Sequence, residues 1–238
     1  MIKAIVSGHS RGLGAAIVEA LLARQLPVLG LARSALPARA GLSQCALDLA
    51  DPAALTAWLA GPTLHDWLAD ASAVWLVNNA GQVQPIAALG EQDPQAIVQA
   101  INLNVTAPLL LSNAVLAASP HCVERRLLHV SSGAARHAYP GWSVYCASKA
   151  ALDHHAQAVA AERHTGVRLV SLAPGVIDTE MQADIRAASL AQFPLRERFD
   201  ALKANGQLTS PQTCAEHLVA ALAHPAFGEV VLTDLRHG

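Results

Sequence analysis

Tyr145 and Lys149 stand four residues apart in Tyr145-Cys146-Ala147-Ser148-Lys149. On a helix, positions i and i+4 share one face. An ammonium beside a phenol favours the phenolate, so this pairing predicts a phenol pKa lowered toward neutrality, where it serves as a general acid or base. The pairing stands out because the chain holds two tyrosines and only three lysines, Lys3, Lys149 and Lys203. Upstream, Val130-Ser131-Ser132 closes an apolar run. A hydroxyl at that place can hold a substrate carbonyl oxygen. Ser132 is the candidate and Ser131 its rival, and spacing alone does not separate them.

A second constellation lies at the other end of the chain. Ser7-Gly8-His9-Ser10-Arg11-Gly12-Leu13-Gly14 follows an apolar run and precedes a helical pattern, with G-x-x-x-G-x-G spacing. Glycines let backbone turn tightly and approach a pyrophosphate, and the helix that follows offers free N–H groups and the positive end of its dipole. The next apolar run ends Leu31-Ala32-Arg33-Ser34. A carboxylate there would bind adenosine ribose hydroxyls. Ala32 stands in its place, Arg33 follows, and Arg11 lies in the glycine loop. Two guanidiniums and no carboxylate suit a 2′-phosphate, which predicts NADPH rather than NADH. Asp48 follows the third run and could accept from the adenine amino group. Asn78-Asn79-Ala80-Gly81 closes the fourth, with Asn78 placed to tie strands together and Ala80-Gly81 offering bare backbone beside a cofactor.

These residues need elements to hold them. Strands are predicted over 2–7, 27–32, 44–47, 73–78, 126–131, 167–172 and 229–233, all short and continuously apolar. Helices are predicted over 12–24, 52–60, 95–117, 144–164 and 211–222. Asp51-Pro52, Asp93-Pro94 and Ser210-Pro211 each set a capping side chain before a first-turn proline. Alternating strands and helices imply an α/β fold: a single doubly wound Rossmann-type domain over 1–238, a parallel sheet of about seven strands with helices on both faces. Segment 180–209 has no strand role and is placed to act as a substrate lid. Phe193, Phe199 and Met181 within it could face substrate, but their amphipathic spacing favours packing. Trp142 either walls the pocket or packs the loop 133–142, where His137 and Tyr139 could meet substrate.

Composition narrows the function further. Of 238 residues, 53% are hydrophobic and 14% charged, with a net charge of −2. That excludes intrinsic disorder, and the lack of any basic run argues against a nucleic-acid partner. No uninterrupted apolar stretch reaches membrane-span length, and the first eight residues do not read as a signal peptide. Cys45, Cys122, Cys146 and Cys214 lack C-x-x-C spacing, and the adjacent His154-His155 pair does not share a helix face, so no metal site is expected. A cytoplasmic, reduced protein is the expectation.

Together, the glycine loop, Asn78-Asn79-Ala80-Gly81, Ser132 thirteen residues before Tyr145, and Tyr145-x-x-x-Lys149 resemble the short-chain dehydrogenases/reductases over essentially the whole chain. Asn104, in Asn102-Leu103-Asn104-Val105, matches the family's catalytic asparagine, and Pro174-Gly175 with Thr179 matches its nicotinamide loop. Ser7 replaces the usual threonine and keeps a hydroxyl. The resemblance implies strand order 3-2-1-4-5-6-7 and a catalytic set of Asn104, Ser132, Tyr145 and Lys149. Tyr145 would protonate the carbonyl oxygen as hydride arrives, Lys149 would tune Tyr145 and hold the nicotinamide ribose, and Asn104 would position a water that relays protons to Lys149. The implied NADP cradle comprises Gly8, Ser10, Arg11, Gly12, Leu13, Gly14, Arg33, Asp48, Leu49, Asn79, Ala80, Gly81, Tyr145, Lys149, Pro174, Gly175, Val176, Ile177 and Thr179.

Segments 141–147, 174–182 and 202–208 resemble the sepiapterin reductase and benzil reductase branch. Sepiapterin reductases anchor the pterin with an aspartate in the last strand. Leu232 takes that place here and the nearest acid is Asp234, which points to a small-molecule ketone or diketone reduced with NADPH. Two other readings are an NADPH-binding sensor or scaffold without turnover, and an NADP-dependent alcohol dehydrogenase running oxidatively. Family members commonly pair through their long helices, here 95–117 and 144–164, so a homodimer or homotetramer is expected.

Overall fold

Strands without a polar face must be covered on both sides. In the computed structural model, which describes residues 1–236, they are. β1 (Ile2–Ser7), β2 (Val28–Ala32), β3 (Leu42–Ala46), β4 (Ala73–Asn78), β5 (Glu124–Val130), β6 (Val167–Ala173) and β7 (Leu232–Asp234) form one sheet. Every neighbouring pair is parallel, in the order β3-β2-β1-β4-β5-β6-β7. The pleat sends successive side chains to opposite faces. Val6 and Leu128 therefore meet α1 (Gly12–Ala23) and α9 (Pro211–Ala223) through Ile17, Leu21 and Leu218. Ile5, Leu76 and Leu127 meet α2 (Pro52–Ala60), α3 (Thr63–Leu68), α5 (Ala107–Ala118) and α6 (Ser143–Glu162) through Leu55, Leu64, Leu111 and Ala156.

Ser7 at the end of β1 pairs with Leu31 of β2 and with Asn78 of β4. The chain leaves β1 toward one half of the sheet and later returns to the other. This leaves a crevice at the carboxyl edge, where ligands bind in open α/β sheets. Asp51, Asp93 and Ser210 cap their helices as predicted, each side chain accepting from backbone N–H groups of the first turn.

α3 has no counterpart in the sequence prediction, β3 and β5 each start two residues earlier than predicted, and three further stretches differ. The helix expected over 95–117 runs as α4 (Pro94–Ile101), a π turn (Asn102–Thr106) and α5. By length and composition Pro94–Ala118 could cross a membrane. Here Ala107, Leu111 and Val115 are buried against the sheet. The last strand is shorter and later than 229–233. Arg168 of β6 donates to Pro225 O and Phe227 O, which fixes the loop against that strand before Leu232 pairs with Ser171. Segment 180–209 contains α7 (Glu180–Ala187) and α8 (Arg196–Ala204). Ile185 of α7, Phe199 of α8 and Phe193 between the two helices bury themselves with Trp142, whose ring stacks on Phe193 at 4.5 Å. The packing expected of both phenylalanines is present, and Trp142 walls the cleft while it packs the loop.

Candidate active site

The glycine loop is set by contacts that tolerate no side chain. A Cβ on Gly14 would lie 2.0 Å from Gly8 O, and one on Gly8 would lie 2.8 Å from Ala80 Cα. Gly8 also has φ +68°, a left-handed conformation that suits glycine. Asn79 Nδ2 donates to Ser7 O and Gly8 O, and the Ser7 hydroxyl accepts from the N–H groups of Asn79 and Ala80. The hydroxyl that Ser7 keeps thus ties the end of β1 to the turn after β4. At the start of α1 Arg11 gives no side-chain cap, and no acid lies in the first turn. The helix N-terminus therefore keeps its N–H groups and positive dipole end for an anion.

One cleft of about 870 Å³ joins this loop to Tyr145. Every residue of the expected cradle lines it: the loop, Arg33, Asp48 and Leu49 at one end, Asn79 to Gly81 along the floor, and Pro174 to Ile177 with Thr179 on the far wall. A glycine-lined trough against a bare helix N-terminus fits a dinucleotide pyrophosphate, with no side chain in its way. At the adenosine end the two arginines differ. Arg11 Nη1 is 2.5 Å from Glu180 Oε2, both side chains 71% exposed, whereas Arg33 forms no ion pair among the described residues. Asp48 Oδ1 accepts from Ala50 N, while Asp51 caps α2.

At the other end α6 places Tyr145 and Lys149 on one buried face. The Ser132 hydroxyl acts on the Tyr145 phenol and favours its ionised form. Ser132 is therefore the serine that meets the phenol. Its rival Ser131 points into the protein, where it and Ser171 each donate to Asp153 Oδ1 at 2.7 Å. Arg136 Nε holds the other oxygen of Asp153 at 2.9 Å, so this buried carboxylate pins the loop behind Ser132 to α6. Asn104 is fully buried at the π turn. Its amide clamps the backbone of Gln82, accepting from Gln82 N and donating to Gln82 O, and also donates to Ser148 Oγ. A Cβ on Gly81 would touch both Asn104 Oδ1 and Lys149 Nζ, so all three line one small space.

Electrostatics here run against the sequence expectation. Burial pushes the Tyr145 phenol up to about 12, opposed by the hydrogen bond from Ser132. Burial likewise brings the Lys149 ammonium down to about 8, opposed by Asp153. Lys149 Nζ donates to Val130 O at 2.9 Å and stands 5.7 Å from the Tyr145 ring centroid. The predicted lowering of the phenol pKa by Lys149 is thus reversed in this state, because desolvation of the oxygen outweighs an ammonium anchored elsewhere.

Several contributors were not foreseen. His9 is buried inside the glycine loop, its ring over Gly30 and its Nε2 2.7 Å from Gln44 Oε1. A glycine in the middle of a strand signals such a close approach, and Gly30 carried that signal. Gln82 and Gln84 also line the cleft, as do Arg198 and Arg236. Asp234, the acid nearest the expected pterin anchor, is bound by Arg236 through Nε at 2.9 Å and Nη2 at 2.5 Å. Among the expected loop contacts, Tyr139 lines the cleft and His137 does not. Asn78 ties β4 to its neighbours through Ser112 and His129, as predicted.

Comparison with known proteins gives consistent results. A family model described as short chain dehydrogenase matches residues 3–190. A benzil reductase ((S)-benzoin forming) from Bacillus cereus is 32% identical, over 97% of this chain and 98% of its own. Sepiapterin reductase from Meriones unguiculatus is 35% identical over 64% of this chain and 59% of its own. The crystal structure of a short-chain dehydrogenase/reductase from Burkholderia vietnamiensis superposes with a TM-score of 0.72 at 44% identity, covering 99% of this chain and 97% of the other.

Proposed function

The chain belongs to the short-chain dehydrogenases, a family of nicotinamide-dependent oxidoreductases, and from that premise we propose that it reduces the carbonyl of a small ketone or diketone to an alcohol with NADPH. The observation that carries this is the Tyr145 phenol against the Ser132 hydroxyl, in the same cleft as the glycine loop. A nicotinamide cofactor held in the cleft would supply hydride to the carbonyl carbon. Ser132 holds the carbonyl oxygen, and Tyr145 donates its proton to that oxygen as negative charge develops there. Lys149, beside Gly81 and Asn104, would hold the cofactor ribose and stabilise the phenolate that Tyr145 becomes. Asn104 fixes the Gln82 backbone, so it is a positioning residue for the space through which Lys149 regains a proton. A phenol kept protonated by burial suits the reductive direction, in which it must give up a proton. Consumption of NADPH with benzil, followed by identification of the hydroxyketone product, tests the reading. Tight cofactor binding with no carbonyl consumed would overturn it.

NADPH preference rests on Arg33 and the missing carboxylate at Ala32. Arg11 can join, because opening its exposed pair with Glu180 costs only about 0.2–1 kcal/mol. Replacing Arg33 with Asp should lower the NADPH-to-NADH ratio of kcat/KM by at least tenfold, roughly the loss of one charge-assisted contact. An unchanged ratio, or wild-type protein that uses NADH as well as NADPH, would remove the assignment. The half-exposed faces of α4, α5 and α6 support pairing of two or four copies through these helices. Light scattering at micromolar concentration checks this, and a monomer would contradict it.

A further inference from the structure

We propose that Arg236 is a substrate-recognition residue that donates to the second oxygen of a 1,2-dicarbonyl. The proposal rests on the carbonyl-reductase reading above and names its substrate class. Arg236 follows β7 and its side chain turns back into the catalytic cleft. Its Nη2 lies 3.6 Å from the place a Cβ on Gly133 would take, and its Cγ lies 3.5 Å from the corresponding place on Gly175. Gly133 follows Ser132, the residue that holds the reacting oxygen. Gly175 belongs to the cofactor wall. The guanidinium therefore stands at the seam between the carbonyl-holding hydroxyl and the cofactor, with bare backbone on both sides.

Its charge state selects the kind of oxygen it takes. A guanidinium has five N–H donors. Nε and Nη2 each give one to the two oxygens of Asp234, which leaves three. The two-point clasp fixes the direction of the fork and offsets part of its charge. A guanidinium paired in this way remains a strong donor but has less long-range pull on an anion. It thus suits a neutral carbonyl oxygen better than a carboxylate. Ser132 and Tyr145 already serve the reacting oxygen, so a donor displaced toward Gly133 and Gly175 meets an oxygen on the adjacent carbon. Trp142, Phe199, Met181 and Leu202 line the remaining wall and suit apolar or aryl substituents on the dicarbonyl.

The test compares benzil with deoxybenzoin, the same skeleton with one carbonyl removed, in wild type, Arg236→Met and Arg236→Lys. Two quantities are read with NADP(H) present: kcat/KM, and affinity from quenching of tryptophan fluorescence. The expected result is that Arg236→Met lowers the benzil-to-deoxybenzoin ratio about tenfold or more, the effect of one charge-assisted hydrogen bond. Arg236→Lys should fall between, and it decides the matter if the methionine variant does not fold. A ratio unchanged in the variants, whether both substrates lose equally or neither loses, overturns the proposal. If wild type reduces neither ketone, the carbonyl-reductase reading fails, while the affinity ratio still decides the role of Arg236.

Discussion

Tyr145→Phe should lower carbonyl reduction by about 10³-fold or more, within or above the span of general-acid contributions, while cofactor affinity stays within about twofold of wild type. The substitution removes one oxygen and keeps the ring. That ring meets Trp142 edge-on at 5.5 Å, so the packing that holds the start of α6 survives. What disappears is the proposed proton donor and its interaction with Ser132. Stopped-flow turnover and a cofactor titration on the same preparation check both halves. A variant that keeps a tenth of the activity would remove Tyr145 from the mechanism.

The pH profile of wild type has a matching signature. A phenol pushed up to about 12 stays protonated through neutral and mildly alkaline solution, so loss of the acid form is not what limits reduction there. Lys149, brought down to about 8 from an ordinary 10.5, is charged below about pH 8 and loses its proton as the pH rises through that value. Reduction should therefore decline above about pH 8 as the ammonium that supports the phenolate and the ribose is lost. A rate that stays flat well above this value would contradict that role for Lys149.

Gly14→Ala should destabilise the protein by about 2–4 kcal/mol, the range of severe steric substitutions, and weaken cofactor binding at least tenfold. Alanine in place of glycine in a helix ordinarily stabilises by about 1 kcal/mol. Here the sign reverses, because the added Cβ would stand 2.0 Å from Gly8 O and 2.6 Å from Asn79 Nδ2. The first neighbour is backbone and has no rotamer to change. α1 must move away from the loop, which parts the glycine turn from the helix N-terminus and releases the Asn79 clamp on Ser7 and Gly8. Thermal unfolding should shift down by roughly 5–15 °C for a domain of this size. An unchanged melting temperature would show that the loop is looser than its contacts indicate.

Much of the site was legible because its parts are local. The helix that carries Tyr145 and Lys149, the turn that carries Gly8, Gly12 and Gly14, and the caps at Asp51, Asp93 and Ser210 are each written within a few residues. The π turn at Asn102–Thr106 was not legible. Its extra residue is stabilised by the clamp of Asn104 on Gln82, twenty-two residues away in the chain. The helices of 180–209 were likewise hidden, since Phe193 and Phe199 gain their burial from Trp142 and not from neighbours in sequence.

Residue pattern alone was enough for the α/β fold class, for the seven strands of the sheet, for the phenol and ammonium paired on one helix face, and for the glycine loop as the candidate nucleotide site. Periodicity and local turn chemistry are sufficient for these. The tertiary structure separated Ser131 from Ser132: both line the cleft, but the Ser131 hydroxyl is spent on buried Asp153 while Ser132 is the one that acts on the Tyr145 phenol. It reversed the expected direction of the Tyr145 pKa, because desolvation is summed over atoms from every segment packed around the oxygen. It also brought Arg236 to the catalytic cleft from the far end of the chain, a position fixed by the pairing of β7 with β6.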